Sequence, residues 1–254
     1  MTGRYVALGS SMAAGPFIRP SAPGAPFQSG RSSLNYAHVT AEQLNADLVD
    51  VTFSGATTAH VLTERQHGAP PQIDALNGSE ELVTITIGGN DVGYVPLLMG
   101  ASLPAIARRL LGARLRELFD RNAREQALDG VGHSLEAVGA EVRRRAPLAR
   151  VMFVDYLTLL PPPGVRAAPL SAEHVNLGRH VGARLEEATA GAAHATGCEL
   201  VRAGEASRNH HGWSRQPWAV GAGLPLPWRA LPFHPNVAGM RAVADLIVQQ
   251  KVKR

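Results

Sequence analysis

The chain has 254 residues, 45% of them apolar and 18% charged, with a formal net charge of +4. That is enough chain to bury about three quarters of the surface its unfolded state exposes, and the balance is globular rather than disordered. The single cysteine, Cys198, excludes an intramolecular disulfide, and no run approaches the ~20 apolar residues that span a bilayer.

Short β-branched runs alternate with longer helical patterns. A strand is predicted over residues 5–8, followed by Gly9-Ser10-Ser11 and a Pro/Gly/Ser loop over 16–30. A helix over 35–44 leads to a strand over 48–53, which ends in Ser54-Gly55-Ala56-Thr57. Helical stretches over 58–64 and 71–76 precede a strand over 82–87. This third strand is apolar or β-branched on both faces, as a doubly buried strand should be, and it runs into Gly88-Gly89-Asn90-Asp91. Helices over 103–124 and 134–145, a strand over 151–154, a helix over 171–194 and a strand over 199–201 follow. A loop over 203–232, rich in Gly, Pro, Trp and Arg, precedes Phe233-His234-Pro235-Asn236 and a last helix over 236–249. Such alternation predicts one domain over 1–254, a parallel sheet with helices on both faces.

Active sites in open parallel sheets form beyond the carboxyl ends of the strands. There the sequence places a hydroxyl (Ser11), flexible backbone donors, a side-chain amide (Asn90) and, before the last helix, an imidazole (His234). Acyl transfer needs this inventory: a nucleophile, a base within hydrogen-bond reach, and donors aimed at the developing oxyanion. Each segment alone is an ordinary turn, and only their order gives the set its meaning.

The four segments resemble the four blocks of the SGNH hydrolases, also called GDSL esterases and lipases, from residue 5 to about residue 245. The resemblance implies a three-layer α/β/α sandwich around a five-stranded parallel sheet. It also implies Ser11 as nucleophile, His234 as general base, and an oxyanion hole from the amides of Ser11 and Gly55 with the Asn90 side chain. Two positions depart from the family pattern. The Asp before the nucleophile is Ser10, and the acid three residues before the histidine is Leu231. Loss of a triad acid can cost about 10⁴ in turnover. Because Pro232 lacks an amide hydrogen and disfavours helix at Leu231, the backbone carbonyl of Leu231 is expected to hold the His234 tautomer in place of the acid.

The expected reaction is hydrolysis of a small-molecule acyl ester through an acyl-serine, with no cofactor or metal. Transfer of the acyl group to an alcohol or sugar acceptor, and an inactive binding module on the same fold, remain the alternatives. The basic residues are spread along the sequence, and the one dense run, Arg143-Arg144-Arg145, ends a predicted helix, where the dipole favours cations. No nucleic-acid partner is therefore implied. The start Arg4-Tyr5-Val6-Ala7-Leu8 carries no basic-then-apolar leader, so a cytoplasmic protein without stable membrane insertion is expected.

Three further features carry both a functional and a plain reading. His210-His211 with Glu205 or Cys198 could suggest a metal, but adjacent histidines rarely face one ion, and loop is the simpler reading. Residues 97–124, with Leu103, Ile106 and Leu110 interleaved by Arg108, Arg109, Arg114 and Arg116, read as a helix packed on the sheet or as a lid or interfacial helix. Met12, Phe17, Tyr94, Val95, Leu97, Trp213, Trp218 and Trp228 would suit an acyl pocket or ordinary packing.

Overall fold

In the computed structural model, which describes residues 3–226 and 229–252, all five predicted strands form one parallel sheet in the order β2-β1-β3-β4-β5. Trp228 lies outside the described residues. The strands are β1 (Arg4–Gly9), β2 (Asp47–Asp50), β3 (Glu80–Thr86), β4 (Arg150–Val154) and β5 (Glu199–Val201). Side chains alternate faces along a strand, and both faces are buried. On one face Val6, Leu8, Val83, Ile85, Val151 and Phe153 share a core, while Tyr5, Ala7, Leu82, Met152 and Val154 share the other.

Helices cover each face, giving three layers. α1 (Ser11–Ala14) is a single turn directly after β1, and α2 (Tyr36–Leu44) packs below it on the second core. α3 (Thr58–Leu62) lies on the first core through Val61. The predicted helix at 71–76 is a 3₁₀ turn over Gln72–Ala75. α4 (Tyr94–Ser102) follows β3, covering the first residues of the 97–124 helical segment as a separate helix that starts at Tyr94; its Pro96 falls in the first turn, where a missing amide costs nothing.

The segment after α4 divides differently from expectation. α5 (Ala105–Phe119) stops at Asp120, whose carboxylate accepts from the amides of Asn122 and Ala123 at 2.8 and 3.2 Å. That cap starts α6 (Arg121–Arg145), which runs unbroken through Gly130 and Gly132. The glycines lower helix propensity by about 1 kcal/mol each. A buried stripe of Leu128, Val131, Leu135, Val138 and Val142 against the sheet outweighs that cost. α7 (Ala172–Ala195) lies beside it, α8 (Ala203–Ala206) follows β5, and α9 (Val237–Val252) closes the second face. Among the described residues, no helix is long and apolar enough to cross a membrane.

Candidate active site

β1 delivers the first block to the carboxyl edge of the sheet. Gly9 pairs with Thr86 of β3 so closely that a Cβ there would lie 2.6 Å from the Thr86 carbonyl, so only glycine fits. The Gln72 side chain brackets Gly9, accepting from its N–H at 2.7 Å and donating to its carbonyl at 3.0 Å. The chain then turns into α1, putting Ser11 at the head of one helical turn, 8% exposed.

The second and third blocks follow β2 and β3, the strands on either side of β1. Gly55 adopts φ +79°, a left-handed conformation that L side chains rarely take. Its N–H and that of Ser11 have no hydrogen-bond partner among the described residues. Asn90 donates from Nδ2 to the Ala56 carbonyl at 2.8 Å. A carbonyl can only accept, so this bond fixes the amide orientation and leaves its second hydrogen available. Asp91 accepts from the Thr58 amide and hydroxyl at 3.1 and 2.6 Å, tying the third block to α3.

Tyr156, just beyond β4, was not among the residues singled out from sequence. Its hydroxyl accepts from the Gly89 amide at 3.0 Å and lies 3.0 Å from Ser10 Oγ, to which it can donate. Burial pushes its pKa up to about 12, so it stays protonated and joins the first block to the third. Gln72 and Tyr156 lie 63 and 146 residues from the positions they brace, and no local pattern marks either one.

His234 is 2% exposed. Its Nε2 sits 2.8 Å from Ser11 Oγ and its Nδ1 sits 2.9 Å from the Pro232 carbonyl. Since a carbonyl has no proton to give, Nδ1 carries the hydrogen and Nε2 faces the serine as an acceptor. The expected carbonyl is thus corrected by one residue. Leu231's carbonyl instead accepts the backbone N–H of His234 at 3.1 Å. Residues 231–234 form a turn with proline second and Phe233, at φ +58°, third, the pattern of a type II turn. Its positive φ rotates the Pro232–Phe233 peptide so that the Pro232 carbonyl meets the ring, while Leu231's closes the turn. Phe233 is fully buried, and a bulky residue at positive φ costs of order 1–3 kcal/mol, tolerated where surrounding contacts impose it.

Those contacts come from the long loop. Val220 donates to the His234 carbonyl and accepts from the Phe233 amide, both at 2.9 Å, and Ala219 bridges Pro235. Asn236 donates from its side chain to the Pro217 carbonyl at 2.6 Å and caps α9 through the Gly239 amide at 2.9 Å. The loop upstream of the histidine is therefore a strap that fixes it.

Burial pushes the His234 imidazole down to about 4, against the opposing pull of the Pro232 carbonyl. No carboxylate bonds to it among the described residues. A second titratable group missed from sequence is Asp155, at the end of β4. It is 2% exposed, accepts from the Gly204 amide at 2.7 Å, and leaves Oδ2 without a partner. Burial pushes its carboxyl up to about 7.

The remaining candidates take structural places. His210 stacks on Trp218 with ring centroids 4.1 Å apart and bonds the Gln216 carbonyl, whereas His211 accepts from the Trp213 amide at 3.2 Å. The two rings thus serve separate loop contacts. Met12, Tyr94, Val95 and Leu97 are buried core, Trp213 is partly buried with its indole donating to the Ala168 carbonyl, and Phe17 is exposed.

The profile of the GDSL-like Lipase/Acylhydrolase family matches residues 7–242. The chain is 31% identical to Lipase 2 of Streptomyces coelicolor over 95% of its own length and 83% of that protein's. Its fold is shared with the crystal structure of phospholipase A1 from Streptomyces albidoflavus, at TM-score 0.80 and 24% identity over 98% of this chain and 99% of that one. It is also shared with an extracellular lipase from Streptomyces rimosus, at TM-score 0.79 and 24% identity over 99% and 100%. The chain belongs to the GDSL-like lipase/acylhydrolase family and is a carboxylic ester hydrolase.

Proposed function

We propose that the chain cleaves esters through an acyl-Ser11 intermediate, using a Ser11–His234 dyad without a carboxylate. The supporting observation is the relay from Ser11 Oγ through both imidazole nitrogens to the Pro232 carbonyl, with contacts of 2.8 and 2.9 Å. Ser11 Oγ attacks the ester carbonyl while Nε2 takes its proton. The imidazolium is held by the neutral Pro232 carbonyl, which fixes its orientation but stabilises its charge less than a carboxylate would. The uncommitted amides of Ser11 and Gly55 and the second hydrogen of Asn90 receive the oxyanion. Nε2–H then protonates the departing alcohol, and water repeats the sequence to release the acid.

The names of the relatives, a lipase and a phospholipase A1, favour a lipid ester as substrate. The test is fluorophosphonate labelling together with turnover of p-nitrophenyl esters of increasing acyl length, with Ser11→Ala as control. Labelling and turnover should both vanish in the variant. Turnover by Ser11→Ala at the wild-type rate would discard the nucleophile, and preferential ester formation with an added alcohol in water would make the enzyme a transferase.

A further inference from the structure

All five strands point the same way, so the segments leaving them share the edge that carries Ser11. These are residues 10–35, 51–57, 87–120, 155–171 and 202–236. They hold eleven arginines and five acidic residues, out of totals of 25 basic and 21 acidic. Asp155 is buried and Asp91 is bonded to Thr58, whereas Asp120 stays exposed at the α6 cap, and on the basic side Arg208 is paired with Glu186. The rest of the chain is slightly acidic. The net positive charge that looked diffuse along the sequence is therefore collected at one edge by the fold.

The same edge carries most of the exposed apolar surface. Of eight large apolar side chains exposed among the described residues, Phe17, Phe27, Ile106, Leu110, Val165 and Leu224 lie in these segments. Only Leu148 and Val252 lie elsewhere. α5 belongs to this edge, since Phe119 packs 4.3 Å from His174 in the first turn of α7, and Arg124 at the start of α6 donates to the Val92 carbonyl at 2.6 Å. On the first part of α5, before the break at Gly112 (φ +29°, ψ −100°), Ile106 and Leu110 stand one turn apart, 74% and 83% exposed, with Arg109 exposed beside them and Arg116 exposed beyond the break. A helix with apolar residues on one turn-spaced stripe and arginines around it suits the plane of a lipid headgroup layer.

We propose that this edge is a docking surface for an anionic lipid layer, with Ile106 and Leu110 entering the headgroup region and the surrounding arginines meeting lipid phosphates. The charge sign selects an anionic partner, and the exposed Phe27, Ile106, Leu110 and Leu224 select one with an apolar interior. The surface rests on the lipid-ester reading only for its purpose, since adsorption is measurable without turnover.

The experiment is co-sedimentation of Ser11→Ala protein with vesicles of phosphatidylcholine alone or containing about 30 mol% phosphatidylglycerol. Partitioning should be several-fold stronger onto the anionic vesicles and should fall when NaCl rises from about 0.1 M to about 0.5 M. Adding Ile106→Ser with Leu110→Ser should weaken it by about tenfold or more, and Arg109→Gln with Arg116→Gln should abolish the preference for anionic vesicles. With Ser11 restored, both pairs should hydrolyse a short soluble ester at the wild-type rate, which shows that the fold is intact. Equal binding to both vesicles, no binding, or unaffected variants would overturn the proposal. So would a dimer in sedimentation that the Ile106/Leu110 variant dissolves, which would assign the patch to a second copy. Tighter retention by duplex DNA than by anionic vesicles would assign the edge to nucleic acid. Loss of ester turnover in wild type with vesicle binding intact would remove the enzymatic reading and leave the surface standing.

Discussion

The Nδ1 of His234 bonds the Pro232 carbonyl at 2.9 Å, two residues back along its own chain, where a triad enzyme would place a carboxylate. The acceptor is main-chain, so no side-chain deletion removes it. Leu231→Ala and Pro232→Ala should each keep kcat within about tenfold, while His234→Ala should cost of order 10⁴ or more. Steady-state kinetics on one soluble ester decide this, and a loss in Pro232→Ala as deep as in His234→Ala would refute the carbonyl's role as described.

Burial with no anionic neighbour holds the His234 pKa at about 4. In the proposed mechanism the imidazole acts as base only when neutral, so kcat/KM should stay level from neutral pH downward and fall only near pH 4. An acid limb near 6.5 would mean that the imidazole is more hydrated, or charge-paired, in solution.

Asn90→Ala should lower kcat by about 10² to 10³, the usual loss for one oxyanion donor, with a smaller change in KM. A large rise in KM at constant kcat would make Asn90 a substrate contact instead.

Tyr156→Phe removes the hydroxyl that meets both Ser10 and the buried Gly89 amide. Leaving that amide unpaired should cost about 1–3 kcal/mol of stability, read by denaturant unfolding. Because the first and third blocks are then less firmly held together, kcat should fall more than KM rises. A variant with lower stability but unchanged kcat would limit Tyr156 to a structural role.

Asp155 titrates at about 7 in the folded protein against about 3.9 in an unfolded chain. The folded state therefore binds the extra proton, and this contribution is present below pH 4 and lost as pH rises through 7. Asp155→Asn should flatten that decline, worth at most about 4 kcal/mol between the two limits. Equal pH slopes in the two proteins between pH 4 and 7 would contradict the assignment.

Much of the fold was legible in sequence because strand burial and helix periodicity are local patterns. The runs at 5–8, 82–87 and 151–154 are apolar on both faces, and the sheet buries them on both faces. The four blocks were legible for the same reason, since three of them follow the end of a strand and the fourth opens the last helix. Where the structure differs from the local pattern, distant packing decided. α6 continues through Gly130 and Gly132 because its apolar stripe meets the sheet, and α4 separates from the 97–124 segment as a helix of its own. The carbonyl behind His234 is Pro232's rather than Leu231's, because residues 217–220, bonded across to 233–236, impose a positive φ on Phe233.

The sequence by itself supplied the groups: a hydroxyl, an amide and an imidazole, each next to a strand end or a helix start. Their spacing along the chain follows from the parallel sheet, whose strand ends share one edge. Tertiary structure alone decided how those groups are held and charged. Gln72, Tyr156 and Asp155 reach their partners across 49 to 146 residues, and a hydrogen bond or a desolvated carboxyl depends on distance and burial in space. The same holds for the eleven arginines of the strand-end segments, which are scattered in sequence and brought to one edge by the common direction of the strands.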